Sequence, residues 1–157
     1  MQNYMTKNTY HRLINELENL KNIEIPKISK EKLEAARLGD LSENAEYEAA
    51  KEKLEMLHKR YKNLEERISS PIFIDDLNIP GSIASIGTKV TIKDIETNET
   101  ITYAILGQED SDVENNIISF LSPIAKGIIG KKEGDECLIQ LPEGTKKVTI
   151  IKIEKYF

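Results

Sequence analysis

The nine residues GDLSENAEY, positions 39–47, concentrate the chain's most suggestive chemistry. Asp40, Glu43 and Glu46 lie within them and Glu48 follows, with no lysine or arginine from Asp40 until Lys51. Asp40 and Glu43 admit two readings. Three residues apart, they can form a capping box at a helix start, where carboxylates also suit the positive end of the helix dipole. That effect fades beyond the first turn, so the acid load exceeds what capping requires. Alternatively, two carboxylates can serve as oxygen ligands for Mg²⁺. On a narrow turn they would hold it poorly alone, because Mg²⁺ wants six oxygens and usually takes one or two carboxylates alongside water and substrate phosphates. The missing ligands would come from a partner with its own metal site. There such a turn could help hold a second ion and orient water for phosphodiester hydrolysis.

The flanking periodicity says what must position these acids. Upstream, Tyr10, Leu13, Leu17 and Leu20 fall at intervals of three, four and three, the seam of an amphipathic helix that packs on another helix. Pro26 interrupts this pattern, which predicts a kink or brief break near residues 23–26 and helix again to about Arg37, with Gly39 as the stop. Downstream, Tyr47, Ala50, Leu54, Leu57, Tyr61, Leu64 and Ile68 repeat at alternating three and four. Mixed charges fill the positions between them, a solvated face. With so short a connection the helices must fold back as an αα-hairpin. A helix of about 26 residues reaches roughly 40 Å. An arm so narrow has no pocket of its own, so any chemistry is displayed at an end.

After Pro71 the pattern changes to short strands, at residues 72–74, 89–95, 100–106, 117–120, 136–141 and 147–154. One helix intrudes, with Ser122 as its cap, Pro123 at its first position and Gly130 at its end. The reading is a two-domain chain: an N-terminal antiparallel helical coiled-coil hairpin over residues 1–75, its acidic tip at about 38–47, and a small α+β domain with a mostly antiparallel sheet over residues 76–157.

Bulk properties set limits. In 157 residues the net charge is -5, which argues against sequence-independent binding of bare duplex DNA as the main activity. Cys137 is the only cysteine, excluding an intrachain disulfide, and reads as a small core or surface residue. No segment approaches a membrane span and the N-terminus lacks an apolar leader, so a cytoplasmic protein is expected.

Two segments carry a resemblance. GDLSENAEYEAAKE resembles the tip signature, and SPIAKGIIGKKEGD the C-terminal signature, of the GreA/GreB family of bacterial transcript cleavage factors, in the expected order. Ala45 to Tyr47 and the modest basic content of the hairpin lean toward the GreA side. The resemblance spans the whole chain and implies an FKBP-like C-terminal domain. It implies a factor that is not itself an enzyme but inserts its hairpin into the secondary channel of RNA polymerase when the RNA 3′ end has backtracked. By motif match, Asp40 and Glu43 would share a Mg²⁺ with the polymerase and position the attacking water. No cofactor would be held by the isolated protein, which is expected to be a monomer. Lys51 matches a basic residue that touches the emerging RNA. The family's other arginine falls four residues before the tip aspartate, where this chain has Ala36, and Arg37 is displaced by one. Ser122 and Pro123 match the segment that docks on the rim of the channel.

Rival readings are a non-cleaving regulator of the same channel, a coiled-coil adaptor, and an active prolyl isomerase in the second domain. The intact Asp40 and Glu43 oppose the first, and both signatures oppose the second. The scarcity of aromatic residues, with no Trp, opposes the third. His11 and His58 lack metal-ligand spacing and read as boundary residues.

Overall fold

The computed structural model describes residues 3–39 and 44–157. Strand β1 (Asn3–Met5) leads into helix α1 (Lys7–Asn19), a π-helical turn (Leu20–Glu24), helix α2 (Ile25–Ala36) and helix α3 (Ala45–Arg67). Strands β2 (Pro71–Phe73), β3 (Thr88–Asp94), β4 (Thr100–Leu106) and β5 (Ile117–Ser119), helix α4 (Pro123–Ile128), and strands β6 (Glu136–Leu141) and β7 (Gly144–Lys155) follow. By contact, the chain divides into one unit of residues up to Thr9 with Pro71–Phe157, and another of Tyr10–Ser70.

In the Tyr10–Ser70 unit the buried side chains of the helices form one stripe. On the first strand of the hairpin they are Leu13, Leu20, Ile28 and Ala35; on α3 they are Ala50, Leu57 and Leu64. The α3 residues recur every seven, whereas the first set recurs at seven, eight and seven. The extra residue is taken up by the π-helical turn, in which the Ile25 N–H donates to the carbonyl of Leu20, five residues back. Pro26 supplies the cause. It has no N–H to continue the α ladder, and the wider turn just before it absorbs the defect while restoring the stripe. The break expected near residues 23–26 is thus a register correction, centred slightly earlier. Arg60 and Glu16 pair at 2.9 Å across the hairpin, an exposed contact worth little by itself.

The other unit is built on a five-stranded sheet, order β5-β4-β3-β7-β6, antiparallel except for the β4–β5 pair. A β-bulge shifts the β3–β7 register between Thr91 and Ile92. Val90, Ile105, Ile139 and Ile150 from the sheet bury their side chains with Ala125 and Ile128 of α4. Cys137 belongs to this core, and burial pushes its thiol up, as befits a packing residue.

Strand β1 left no signal in the sequence. It pairs parallel with β2, Tyr4 opposite Ile72, in a separate two-stranded ribbon. The buried Asp110 carboxylate fixes this segment, accepting from the Thr6 N–H at 3.1 Å, the Thr6 hydroxyl at 2.9 Å and the Gly107 N–H at 2.9 Å. Gly107 is required by close approach, because a Cβ there would collide with the carbonyl of Tyr4. Asp110→Ala would strand buried donors, and a loss of about 2–4 kcal/mol is expected in urea unfolding followed by circular dichroism. Gly107→Ala should be destabilising as well, while Ser111→Ala, beside Asp110 in the chain, should change little.

Candidate functional site

Asp40 and Glu43, the carboxylates singled out from the sequence, lie outside the described residues, so the site is defined by the ends that hold them. On the upstream side α2 closes at Ala36, followed by exposed Arg37, Leu38 and Gly39. Gly39 has φ +150, beyond the usual range of residues with a side chain, which suits a sharp departure from the helix. Leu38 is 75% exposed.

Downstream, Asn44 does the structural work. Its backbone is extended, at φ -87 and ψ 94, and its Oδ1 accepts the N–H of Tyr47 at 3.0 Å, so Asn44 is the N-cap of α3. Its Nδ2 donates to the carbonyl of Ala35 at the end of α2, which also accepts the Leu38 N–H at 3.2 Å. One side chain therefore caps a helix start and ties it to the neighbouring helix end. Among the described residues Asn44 is the N-cap of α3; Asp40 and Glu43, named in the capping-box reading, lie outside them. An Asn in the middle of an acidic run offers the needed acceptor and a donor besides, which a carboxylate cannot.

Charge is unevenly placed around this tip. Glu46 and Glu48 occupy the exposed first turn of α3. Glu31, Glu34 and Glu46 rim a shallow concavity floored by Ala35, Ala49 and Ala50, with Lys53 at its end. Across the buried stripe, the Lys32 Nζ sits 5.8 Å from the centre of the Tyr47 ring. Lys51 is exposed one turn beyond Tyr47. Lys32 carried no signal in the sequence, since it looked like one more solvated lysine. Among the described residues, no three His, Cys, Asp or Glu side chains are grouped to hold a metal.

Ser122 and Pro123 lie in the other unit, apart from the tip in the chain and in contact terms. Ser122 is the N-cap of α4, its Oγ accepting the Ala125 N–H at 3.2 Å, and Pro123 opens the helix, as read from the sequence. Pro123 and the neighbouring Leu121 remain exposed. Gly130 follows the helix with φ +88.

Comparison with known proteins adds an independent line. The family described as Transcription elongation factor, N-terminal, matches residues 3–71, and that described as Transcription elongation factor, GreA/GreB, C-term, matches residues 79–155. The chain is 41% identical over 150 residues to Transcription elongation factor GreA of Pseudomonas aeruginosa, covering 95% of each chain. It is 41% identical over 149 residues to the GreA of Hyphomonas neptunium, again covering 95% of each. To the GreA of Rickettsia canadensis it is 39% identical over 150 residues, 96% of this chain and 93% of the relative.

If Asn44 rather than the acids holds the turn, Asn44→Ala should cost about 1 kcal/mol of hairpin stability. Asp40→Asn and Glu43→Gln should leave thermal unfolding within about 0.5 kcal/mol of the parent. A larger loss from Asp40→Asn than from Asn44→Ala would return the capping duty to the acids.

Proposed function

The chain belongs to the GreA/GreB family of transcription elongation factors, and on that premise we propose that its hairpin enters the secondary channel of bacterial RNA polymerase. There it stimulates the polymerase's own cleavage of a backtracked RNA 3′ end. What supports the reading is the match to both family descriptions over residues 3–71 and 79–155, together with an Asn44 side chain that caps α3 and ties it to α2 beside the acidic segment.

Asp40 and Glu43 offer oxygen donors, the ligand type Mg²⁺ takes, and two carboxylates match the number such an ion accepts when phosphate and water complete its shell. The remaining ligands belong to the polymerase. Bound there, Mg²⁺ would lower the pKa of water and stabilise charge on the phosphoryl oxygens. The task of this chain is positioning. The two carboxylates orient the attacking water by accepting its hydrogens, which places its oxygen in line with phosphorus. Attack breaks the bond between phosphorus and the 3′ oxygen of the retained transcript. The released fragment keeps the phosphate, and the transcript regains a 3′ hydroxyl. Lys51 contacts the RNA, Arg37 contributes a second positive charge nearby, and the face bearing Ser122 and Pro123 docks on the channel rim. The factor acts as a monomer in the cytoplasm and is not a nuclease by itself.

Mixing the purified protein with a backtracked elongation complex and following RNA length tests this directly. The transcript should shorten from its 3′ end. Asp40→Asn or Glu43→Gln should slow that shortening by roughly 10²-fold or more, with polymerase binding retained. Variants that cleave like the parent would return the two acids to a capping role and overturn this mechanism; a parent that left the transcript unshortened would make a non-cleaving regulator of the same channel, or a coiled-coil adaptor, the better description. Lys51→Ala should reduce cleavage at unchanged polymerase affinity; equal cleavage would remove it from the RNA contact.

A further inference from the structure

We propose that the sheet-bearing unit carries a phosphate-binding site at the edge of β6, where Lys126, Lys131 and Lys147 converge on a concavity of about 520 Å³. Its ligand is a run of phosphate groups, on a free polyphosphate or along a nucleic-acid strand. The site is separate from the acidic tip in the chain and does not rest on the cleavage role of the hairpin.

Three elements deliver the lysines: α4, the turn after it, and β7. Strand β6 ends the sheet, so its outer side is open to a neighbour, and α4 packs there. Gly127 permits the close approach. A Cβ on it would lie 3.0 Å from the Leu138 carbonyl oxygen and 3.2 Å from the Ile139 Cα, so a bare glycine lets α4 rest on the backbone of β6. Lys126, the residue before it, is thereby carried to the rim of the concavity. Backbone bonds to the buried Ala84 fix the turn that follows. The Gly130 N–H donates to the Ala84 carbonyl at 2.8 Å, and the Ala84 N–H donates to the Lys131 carbonyl at 2.9 Å. Lys147 stands on β7 directly across from Leu138. All three lysines thus project from backbone that is already ordered, which lowers the entropy lost on binding. At the floor, burial pushes the Cys137 thiol up, and the Lys131 charge acts on it in the opposite direction, as a cation close to the floor does.

Three ammonium groups meet one carboxylate in this lining. Glu136 pairs with Lys147 at 3.4 Å, an exposed and weak contact. Lys126 and Lys131 form no ion pair among the described residues. Asp135, the other acid near Cys137, accepts the Lys132 N–H at 2.8 Å and does not line the concavity. Positive charge therefore predominates here in a chain whose net charge is -5. The last turn of α4 favours a cation at Lys126 through the helix dipole, but that accounts for one lysine of the three. A concave wall of one sign focuses its field, and an ammonium offers donors and no acceptor, so the lining selects an anion. A carboxylate brings one charge and two oxygens in a plane. A run of phosphates brings more charge and oxygens in several directions, which suits point charges reaching in from three elements.

The test titrates the full chain at low salt with tripolyphosphate, and separately with a single-stranded RNA oligonucleotide, following backbone amide shifts by NMR. Saturable shifts should centre on Lys126, Gly127, Lys131 and Leu138. Lys126→Gln and Lys131→Gln should each weaken binding about threefold, the scale of one exposed charge contact. Glu136→Gln, which releases Lys147, should tighten binding by a similar factor. Lys152→Gln and Glu114→Gln make the same charge changes elsewhere on this unit and should leave the affinity as it is. Thermal unfolding should match the parent throughout, because every replaced group is exposed. Shifts at these residues with either probe support the site, RNA alone assigning a nucleic-acid strand and tripolyphosphate alone a free polyphosphate. Shifts with neither probe, or shifts confined to lysines of the hairpin, would overturn it. So would a loss from Lys152→Gln equal to that from Lys126→Gln, which would reduce the effect to overall charge. A polyglutamate peptide bound here more tightly than both probes would overturn the phosphate assignment in favour of an acidic protein partner.

Discussion

A two-helix arm has one stripe to bury, and everything about this hairpin depends on keeping that stripe in line. Leu57 and Leu64 on α3 repeat at seven, so their partners across the hairpin must do the same or rotate out of contact. One surplus residue between Leu20 and Ile28 would turn the rest of α2 by about 100°. The π-helical turn removes that rotation at the place where Pro26 would have broken the ladder anyway. Two local irregularities cancel, and Ala35 reaches the tip facing Ala50. Had they not cancelled, Glu34, fourteen residues after Leu20, would have turned into the buried stripe in place of Ala35.

Small residues at the far end complete the arrangement. Ala35 and Ala50 let the helices approach closely, so a single Asn44 side chain can span from the start of α3 to the end of α2. That bridge lets the tip carry an excess of negative charge. Like charges crowded on a short turn repel one another, and a turn held by the acids themselves would loosen whenever they were protonated or engaged elsewhere. A neutral amide in the capping role keeps that hydrogen bond independent of carboxylate protonation.

The sheet-bearing unit solves a different problem. Its N-terminal strand is only three residues long, too short to hold by pairing alone. Asp110 compensates with hydrogen bonds to Thr6 and Gly107, a buried carboxylate whose charge is met by backbone and hydroxyl donors. Thr6 in turn accepts the N–H of Thr9, so the same cluster supports the first turn of α1. Lys7 adds an exposed pair with Asp76 at 2.9 Å, and that hydrogen-bonded carboxylate holds the ammonium pKa above its ordinary value.

The amino-acid sequence alone determined the hairpin, most strands of the sheet, the α4 cap at Ser122 and the acidic identity of the tip. Those features rest on local rules: seams at three and four, alternation at two, and capping chemistry within a few residues. Tertiary structure decided what depends on residues distant in sequence. Strand β1 exists because Asp110, 104 residues from Thr6, anchors it. That Asn44 ties α3 to α2 as well as capping it turns on the carbonyl of Ala35, nine residues earlier and on the other helix. Lys32 met the ring of Tyr47 only when the hairpin closed, since the two lie on different helices. A side chain's type is written locally, but its partner is chosen by the fold, and at this tip the partner determines the role.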